Sequence, residues 1–176
     1  MNLTEHTVCK NYVYRGKIIS VRCDDATRGD GKPCKREIVE HPGGACVMCV
    51  LDGKVALVRQ FRYAYGEEIL ELPAGKLNLA EAPDVCAMRE LSEETGLEAE
   101  RLELLHVLYP TPGYTDEKIY IYFAHGVTKG KAHLDEGEFL NVEFFDVDEV
   151  LEMITRGEIK DAKTIVGLYR YKLMMA

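Results

Sequence analysis

Apolar positions fall into short alternating or continuous runs over the first two thirds of the chain, and into helical spacing at three places. Lys17–Cys23 and Lys35–Glu40 read as strands joined by the turn-rich stretch DDATRGDGKP. Ala45–Leu51 and Val55–Arg62 flank Asp52-Gly53-Lys54, a strong hairpin signal because Asp-Gly tolerates the left-handed backbone of a tight turn. Ile69–Leu72 is a short strand. Pro83–Thr95 reads as a helix, with Pro83 suited to its first turn and Gly96 to the position just past its end. Strands follow at Leu102–Tyr109 and Lys118–His125, then a polar loop at Thr128–Gly137 and a strand at Phe139–Phe145. Asp146 with Glu149 opens a helix that ends at Gly157, and Asp161 caps a last helix at Ala162–Met175. Strands early and helices interspersed later predict an α/β fold, a mixed sheet with helices on its faces. Residues 1–41 read as a separate N-terminal strand unit and 42–176 as the main domain.

A chain of 176 residues suffices for one domain with a small extension, and it can close a core without disulfides or structural metal. The formal charge of −8 argues against nucleic acid or an anionic membrane as the main partner. Ala45–Leu51, the longest purely apolar stretch, is far short of a membrane span. The opening MNLTEHTVCK carries no apolar signal region, so the expectation is a cytoplasmic protein. Cys46 and Cys49 form a C-x-x-C, but within ACVMCVL they read as small core residues of a buried strand rather than a zinc or redox pair. His41, His106, His125 and His133 lack ligand spacing and read as structural or surface groups, and Tyr169 and Tyr171 as a packing face.

The charge is unevenly placed. Between Glu67 and Glu103 stand eleven acids against three bases, Lys76, Arg89 and Arg101, so the remainder of the chain is neutral. Such a run is ordinarily the solvated face of a helix. On Pro83–Thr95, however, a turn of about 100° per residue puts Val85, Met88 and Leu91 on one side and Glu90, Glu93 and Glu94 on the other. Glu90 and Glu94 are one turn apart, a like-charge spacing that costs about 0.2–0.5 kcal/mol if unrelieved. Arg89 can relieve part of it by pairing with Glu93. A divalent cation would relieve more, since hard oxygen donors on a rigid helix suit Mg²⁺ or Mn²⁺. Before the helix, LPAGKLNLAE places Gly75 where a backbone can approach a ligand closely.

Gly75, Glu81, Arg89-Glu90-Leu91, Glu93-Glu94 and Gly96-Leu97 fill every fixed position of G-x5-E-x7-R-E-U-x-E-E-x-G-U, where U is aliphatic. This resembles the Nudix box, the signature of the Nudix hydrolases, and agreement at nine fixed positions in one register is far more specific than a lone glycine motif. The resemblance implies a Nudix α/β/α sandwich with a mixed sheet, the N-terminal antiparallel strand unit beside it, and hydrolysis of a nucleoside diphosphate linked to another moiety. It implies metal ligation by Glu90, Glu93, Glu94 and the Ala74 carbonyl, with two or three Mg²⁺ ions, or Mn²⁺. Gly75, Glu81 and Gly96 are its structural positions, and Arg89 and Glu81 orient helix and loop. Arg89 and Glu93 count among its catalytic residues.

Beyond the box, LDEGEF resembles the acidic loop of ADP-ribose pyrophosphatases, which makes Glu136 the general base and Glu138 a further metal ligand. The two could exchange roles, and an ordinary polar loop is the alternative. VRQFRYAYGEEILELPAGK, YPTPGYTDE and DAKT resemble the same subfamily, and Pro112 lies sixteen residues beyond Gly96, where that subfamily carries a proline. Carried across, Arg36, Glu37 and Arg62 contact substrate, with Arg62 suited to bidentate phosphate binding. Thr111, Pro112, Gly113 and Glu117 line the distal ribose phosphate. Val13 and Tyr14, in YVYRGK, match a segment that reaches the partner subunit's site in a homodimer, where Tyr14 stacks on adenine; a strand-core tyrosine is the alternative. The function expected is hydrolysis of ADP-ribose or a close ADP-sugar to AMP and ribose 5-phosphate. The alternatives are another nucleotide sugar such as GDP-mannose, or a module that binds ADP-ribose without cutting it.

Overall fold

A computed structural model describes residues 2–131 and 139–176, which divide into two compact units. The first comprises Met1–Gly43 and Tyr109–Lys118. Its strands are β1 (His6–Cys9), β2 (Tyr12–Arg15), β3 (Ser20–Thr27) and β4 (Pro33–Glu40), and β3 pairs antiparallel with the other three. β3 begins later and runs farther than its apolar pattern predicts, because Asp24–Thr27, expected as turn, continue the ladder. Their charges are paired within the sheet: Asp25 meets Lys35 and the Asn11 amide, and buried Arg22 forms ion pairs with Asp24 and Glu40. The 109–118 segment is stitched to β4, with Val39 N–H donating to the Tyr114 carbonyl at 2.8 Å and Asp116 N–H to the Val39 carbonyl at 3.2 Å.

The second unit comprises Gly44–Leu108 and Ile119–Ala176. In chain order it holds β5 (Gly44–Met48), β6 (Val50–Leu51), β7 (Lys54–Arg62), β8 (Glu67–Glu71), β9 (Ala74–Lys76), α1 (Pro83–Thr95), β10 (Leu97–Glu98), β11 (Arg101–Leu108), β12 (Ile119–His125), β13 (Thr128–Lys129), β14 (Leu140–Asp146), α2 (Val147–Thr155) and α3 (Ala162–Met174). One sheet runs β11-β12-β5-β9, mixed because β12 and β5 are parallel. An antiparallel sheet runs β14-β7-β6, with β8 also on β7. The hairpin at Asp52-Gly53 has positive φ at both residues, 52° and 79°, the turn whose twist matches flanking strands.

All five residues of β5 are buried, as befits a strand covered on both faces. Cys46 and Met48 pack with Val150, Met153 and Leu168 of α2 and α3, whereas Ala45 and Val47 pack with Cys86, Ala87 and Leu91 of α1. This alternation makes the helix–sheet–helix sandwich, and small residues on the α1 side let that helix lie close to the sheet. Cys46 and Cys49 are free, buried thiols whose burial pushes their pKa up to about 12, so they are core groups and not a reactive pair.

Pro83 opens α1 and Gly96 closes it at φ 67°, donating its N–H to the Ser92 carbonyl. The apolar face of α1 differs from the one the periodicity predicts. Val85 is exposed, Met88 is only partly buried, and Cys86, Ala87, Glu90, Leu91 and Glu94 turn inward. The helix is rotated because two of its carboxylates, rather than a wider apolar stripe, are held against the neighbouring strand. Gly96→Ala should cost about 1 kcal/mol, since a Cβ disfavours the left-handed cap. Thermal unfolding followed by circular dichroism should show a midpoint roughly 2–4 °C lower for a chain of this size.

Candidate active site

The box residues gather on α1 and the loop that leads into it, within the second unit. Arg89 is the hub. Its Nε donates to Glu81 Oε1 at 2.9 Å and its Nη2 to Glu81 Oε2 at 3.1 Å, while Nη1 donates to Glu90 Oε1 at 2.6 Å and Glu93 Oε2 at 2.9 Å. Glu81 Oε2 also accepts the Asn78 N–H at 2.8 Å, which closes the loop between β9 and α1 around a left-handed Ala80. One guanidinium thus ties three carboxylates together and fixes the entry to the helix. The Arg89 pKa is raised, chiefly by hydrogen bonding to Glu81, and the Glu81 carboxyl is held down to about 2 by the Arg89 guanidinium and the Asn78 N–H.

Glu90 and Glu94 face β9. Only 7% and 4% exposed, they do not belong to a solvated helix face. Glu94 Oε2 accepts the Ala74 N–H at 2.9 Å. The Glu90 carboxylate occupies the space beside Gly75 so closely that a Cβ there would lie 1.8 Å from Oε1. A side chain at position 75 would displace the Glu90 carboxylate, and the backbone there is not left-handed. Cys86 completes the seam, its Sγ 3.5 Å from the Lys76 carbonyl.

These donors fit a hard divalent cation: carboxylate oxygens of Glu90, Glu93 and Glu94 on one helix, against the β9 backbone at Ala74, with Gly75 giving the Glu90 carboxylate its place beside the strand. Among the described residues, no three acidic, histidine or cysteine side chains already converge at ligand spacing, because Arg89 draws Glu90 and Glu93 to itself. Glu136 and Glu138, the base and further ligand expected from LDEGEF, lie outside the described residues.

Arg62, expected on phosphate, forks onto the buried Glu71, its Nε at 2.9 Å from Oε1. Burial alone would lower the Arg62 pKa, but Glu71, with Glu94 and Asp161 acting through space, raises it. Glu71 also forms an ion pair with the buried Lys163, whose Nζ lies 3.2 Å from Oε2 and 3.0 Å from Asp161 Oδ1. Burial pulls the Lys163 ammonium down, and Asp161 and Glu71 more than offset it, leaving its pKa raised. Asp161 caps α3 as expected, accepting the Thr164 N–H at 2.9 Å and hydroxyl at 2.6 Å. Neither Glu71 nor Lys163 was expected individually; DAKT flagged the neighbourhood, but a lysine at a helix start reads as solvent-facing.

In the first unit, Arg36, Glu37, Pro112 and Gly113 line one cavity of about 290 Å³ together with Arg22 and Asp24. Arg36 itself is forked onto Glu5. Arg22 and Asp24 were not expected there, since charged side chains on the buried face of a strand break the apolar alternation. Thr111 accepts from Tyr114 and Thr115 N–H groups to form the turn, and Glu117 lies 3.4 Å from His41 Nδ1. Val13 and Tyr14 are exposed on β2, which removes the strand-core alternative for Tyr14.

The fold and this box define a hydrolase of the Nudix class. The NUDIX domain model matches residues 40–166, and the chain belongs to that family. It is 38% identical over 178 residues to an ADP-ribose pyrophosphatase of Bacillus subtilis (strain 168), covering 99% of this chain and 96% of that one. It is 38% identical over 175 residues to a methanol dehydrogenase activator of Bacillus methanolicus, covering 98% and 95%. It is 36% identical over 157 residues to a GDP-mannose pyrophosphatase of Escherichia coli O1:K1 / APEC, covering 82% of each. The fold matches the crystal structure of an ADP compounds hydrolase with a TM-score of 0.86 at 20% identity, over 99% and 96% of the two chains.

Because the folded Glu81 titrates at about 2 against an ordinary 4.5, its pairing with Arg89 stabilises the fold fully above about pH 4.5. That contribution drains away as pH falls toward about 2. Glu81→Gln should therefore flatten the acid limb of the melting-temperature profile across this window. Parallel limbs in wild type and variant would show that Glu81 is not the group responsible.

Proposed function

We propose that this Nudix pyrophosphohydrolase cleaves the diphosphate of ADP-ribose, or a close ADP-sugar, to AMP and ribose 5-phosphate, with Mg²⁺ as its metal. The observation that carries this reading is the pair of nearly buried carboxylates, Glu90 and Glu94, held against Gly75 and Ala74. Hard oxygen donors one helical turn apart and beside a strand backbone suit a divalent cation. Glu90, Glu93, Glu94 and Ala74 would hold it, with Mn²⁺ the alternative and two or three ions in all. Bound there, a divalent cation supplies Lewis-acid polarisation of phosphate oxygens and acidifies water.

The chain's own groups divide the remaining work. Arg89 holds Glu93 and Glu90 in place and, through Glu81, the loop carrying Gly75. Arg62 contributes a guanidinium to a phosphate oxygen. Glu136 takes the proton of the attacking water, with Glu138 as a ligand, or the two in exchanged roles. Arg36, Glu37, Thr111, Pro112, Gly113 and Glu117 contact the nucleoside and distal ribose phosphate. The relative at 38% identity over nearly the whole chain favours ADP-ribose. The relative at 36% identity favours GDP-mannose as the second reading. A binding module that does not hydrolyse would be expected to lose a box carboxylate, and here Glu90, Glu93 and Glu94 all stand.

Selectivity decides between the substrates. The turn at Thr111–Gly113 is short and stiffened by Pro112, which suits a ribose phosphate better than a hexose. Under one saturating Mg²⁺ concentration and one pH, kcat/KM for ADP-ribose should exceed that for GDP-mannose by at least about tenfold, or about 1.4 kcal/mol. Equal values, or a preference for GDP-mannose, would overturn the ADP-ribose assignment.

The protein works in the cytoplasm as a homodimer, paired through residues 1–41 of the first unit. Exposed Val8, Val13, Tyr14 and Ile18 there support self-association. With Tyr14 serving the neighbouring subunit's adenine site, Tyr14→Ala and Glu94→Gln chains should each be poorly active alone. Mixed, they should regain activity, because hybrid dimers carry one site with neither defect. A fully active monomer on a sizing column would end this reading.

A further inference from the structure

Arg62, Glu71, Lys163 and Asp161 form an ordered chain of alternating charge in the second unit. Its members are unequally buried. The Arg62 side chain is 38% exposed, whereas those of Glu71 and Lys163 are 5% and 9% exposed. Glu71 is also anchored by its backbone neighbour, since Leu72 N–H donates to the Thr164 hydroxyl at 2.8 Å and Asp161 in turn holds that hydroxyl. Arg62 can therefore turn outward and Glu71 cannot follow. One guanidinium would suffice to neutralise Glu71, yet a buried lysine is kept on the same oxygen, Oε2.

We propose that Lys163 is a positioning residue, the standing counter-ion of Glu71 that lets Arg62 leave that carboxylate for the diphosphate of a nucleotide sugar. Removing the only partner of a buried carboxylate leaves an uncompensated charge, which is strongly unfavourable. With Lys163 in place the departure of Arg62 still leaves Glu71 a cation at 3.2 Å, one it shares with Asp161. Without it, Arg62 is trapped on Glu71 and lost to the ligand. The proposal rests on the reading that this site takes a diphosphate, and it is indifferent to which groups flank it.

The test is calorimetric binding of inorganic pyrophosphate in the presence of Mg²⁺ to wild type, Lys163→Met, Glu71→Gln and the double variant. Lys163→Met should weaken binding at least about tenfold, because Arg62 stays on Glu71. Glu71→Gln should bind at least as tightly as wild type, because a neutral amide holds Arg62 less strongly. The double variant should return to within about threefold of wild type. A purely structural role predicts the opposite, a double variant no better than the worse single one, and that result would overturn the proposal. If Lys163→Met does not fold, Glu71→Gln decides alone: weaker binding than wild type would mean that Glu71 aims Arg62, and Lys163 would then have no release to support. A wild type that turns over no nucleotide sugar but binds pyrophosphate would remove the proposed function and leave this inference standing. A wild type that does not bind pyrophosphate would remove the inference.

Discussion

The arrangement depends on one guanidinium. Four acids, Glu81, Glu90, Glu93 and Glu94, stand within fourteen residues of chain, and three of them touch Arg89. Planar donors spread over Nε, Nη1 and Nη2 can satisfy several carboxylates at once, which a lysine ammonium on a flexible stem cannot do with the same geometry. The consequence reaches past α1. Through Glu81 the same side chain holds the Asn78 N–H and thereby the loop from β9, so helix and loop are fixed as one piece. Glu94 adds the second tie, accepting the Ala74 N–H.

Close packing lets those ties form. α1 approaches the sheet over Ala45, Ala56, Ala87 and Cys86, residues small enough to bring the helix near β5 and β9. At the nearest point even an alanine would be too large, and Gly75 yields its Cβ volume to the Glu90 carboxylate. Glycine and glutamate at these two positions are one structural unit, seven strand and loop positions and eight helix positions apart in sequence. Their spacing in the box is the distance the chain needs to leave β9, turn, and bring the third turn of α1 back over it.

Much of this was legible in the sequence. Pro83 and Gly96 bracket α1 by backbone preference alone, and the residue types of the box fix its register. Less was legible where burial departs from hydrophobicity. Period-3.6 reasoning places Val85 inside and Glu90 and Glu94 outside, and the helix does the reverse because hydrogen bonds and close approach decide its rotation. β9 is three residues long, too short to show an alternation. β1 and β2 are exposed at every position, so no inward face marks them. Asp24 and Asp25 read as turn residues until Arg22, Lys35 and Asn11 are seen to satisfy them. Lys163 is the plainest case, since nothing local in a sequence distinguishes a lysine destined for burial between two carboxylates from one destined for water.

The distribution of charge then constrains what the site can attract. The segment from Glu67 to Glu103 carries the whole net charge of the chain, and three cations of this unit are already committed. Arg89 serves Glu81, Glu90 and Glu93, Arg62 serves Glu71, and Lys163 serves Glu71 and Asp161. A diphosphate approaching this surface meets carboxylates in excess of uncommitted positive charge. Attraction must come from a divalent cation held by those carboxylates, or from an arginine released from its present partner, and the second route is open only where another cation stays behind. The buried lysine beside Glu71 answers that requirement within the fold, at a position where neither packing nor helix formation asks for a charge.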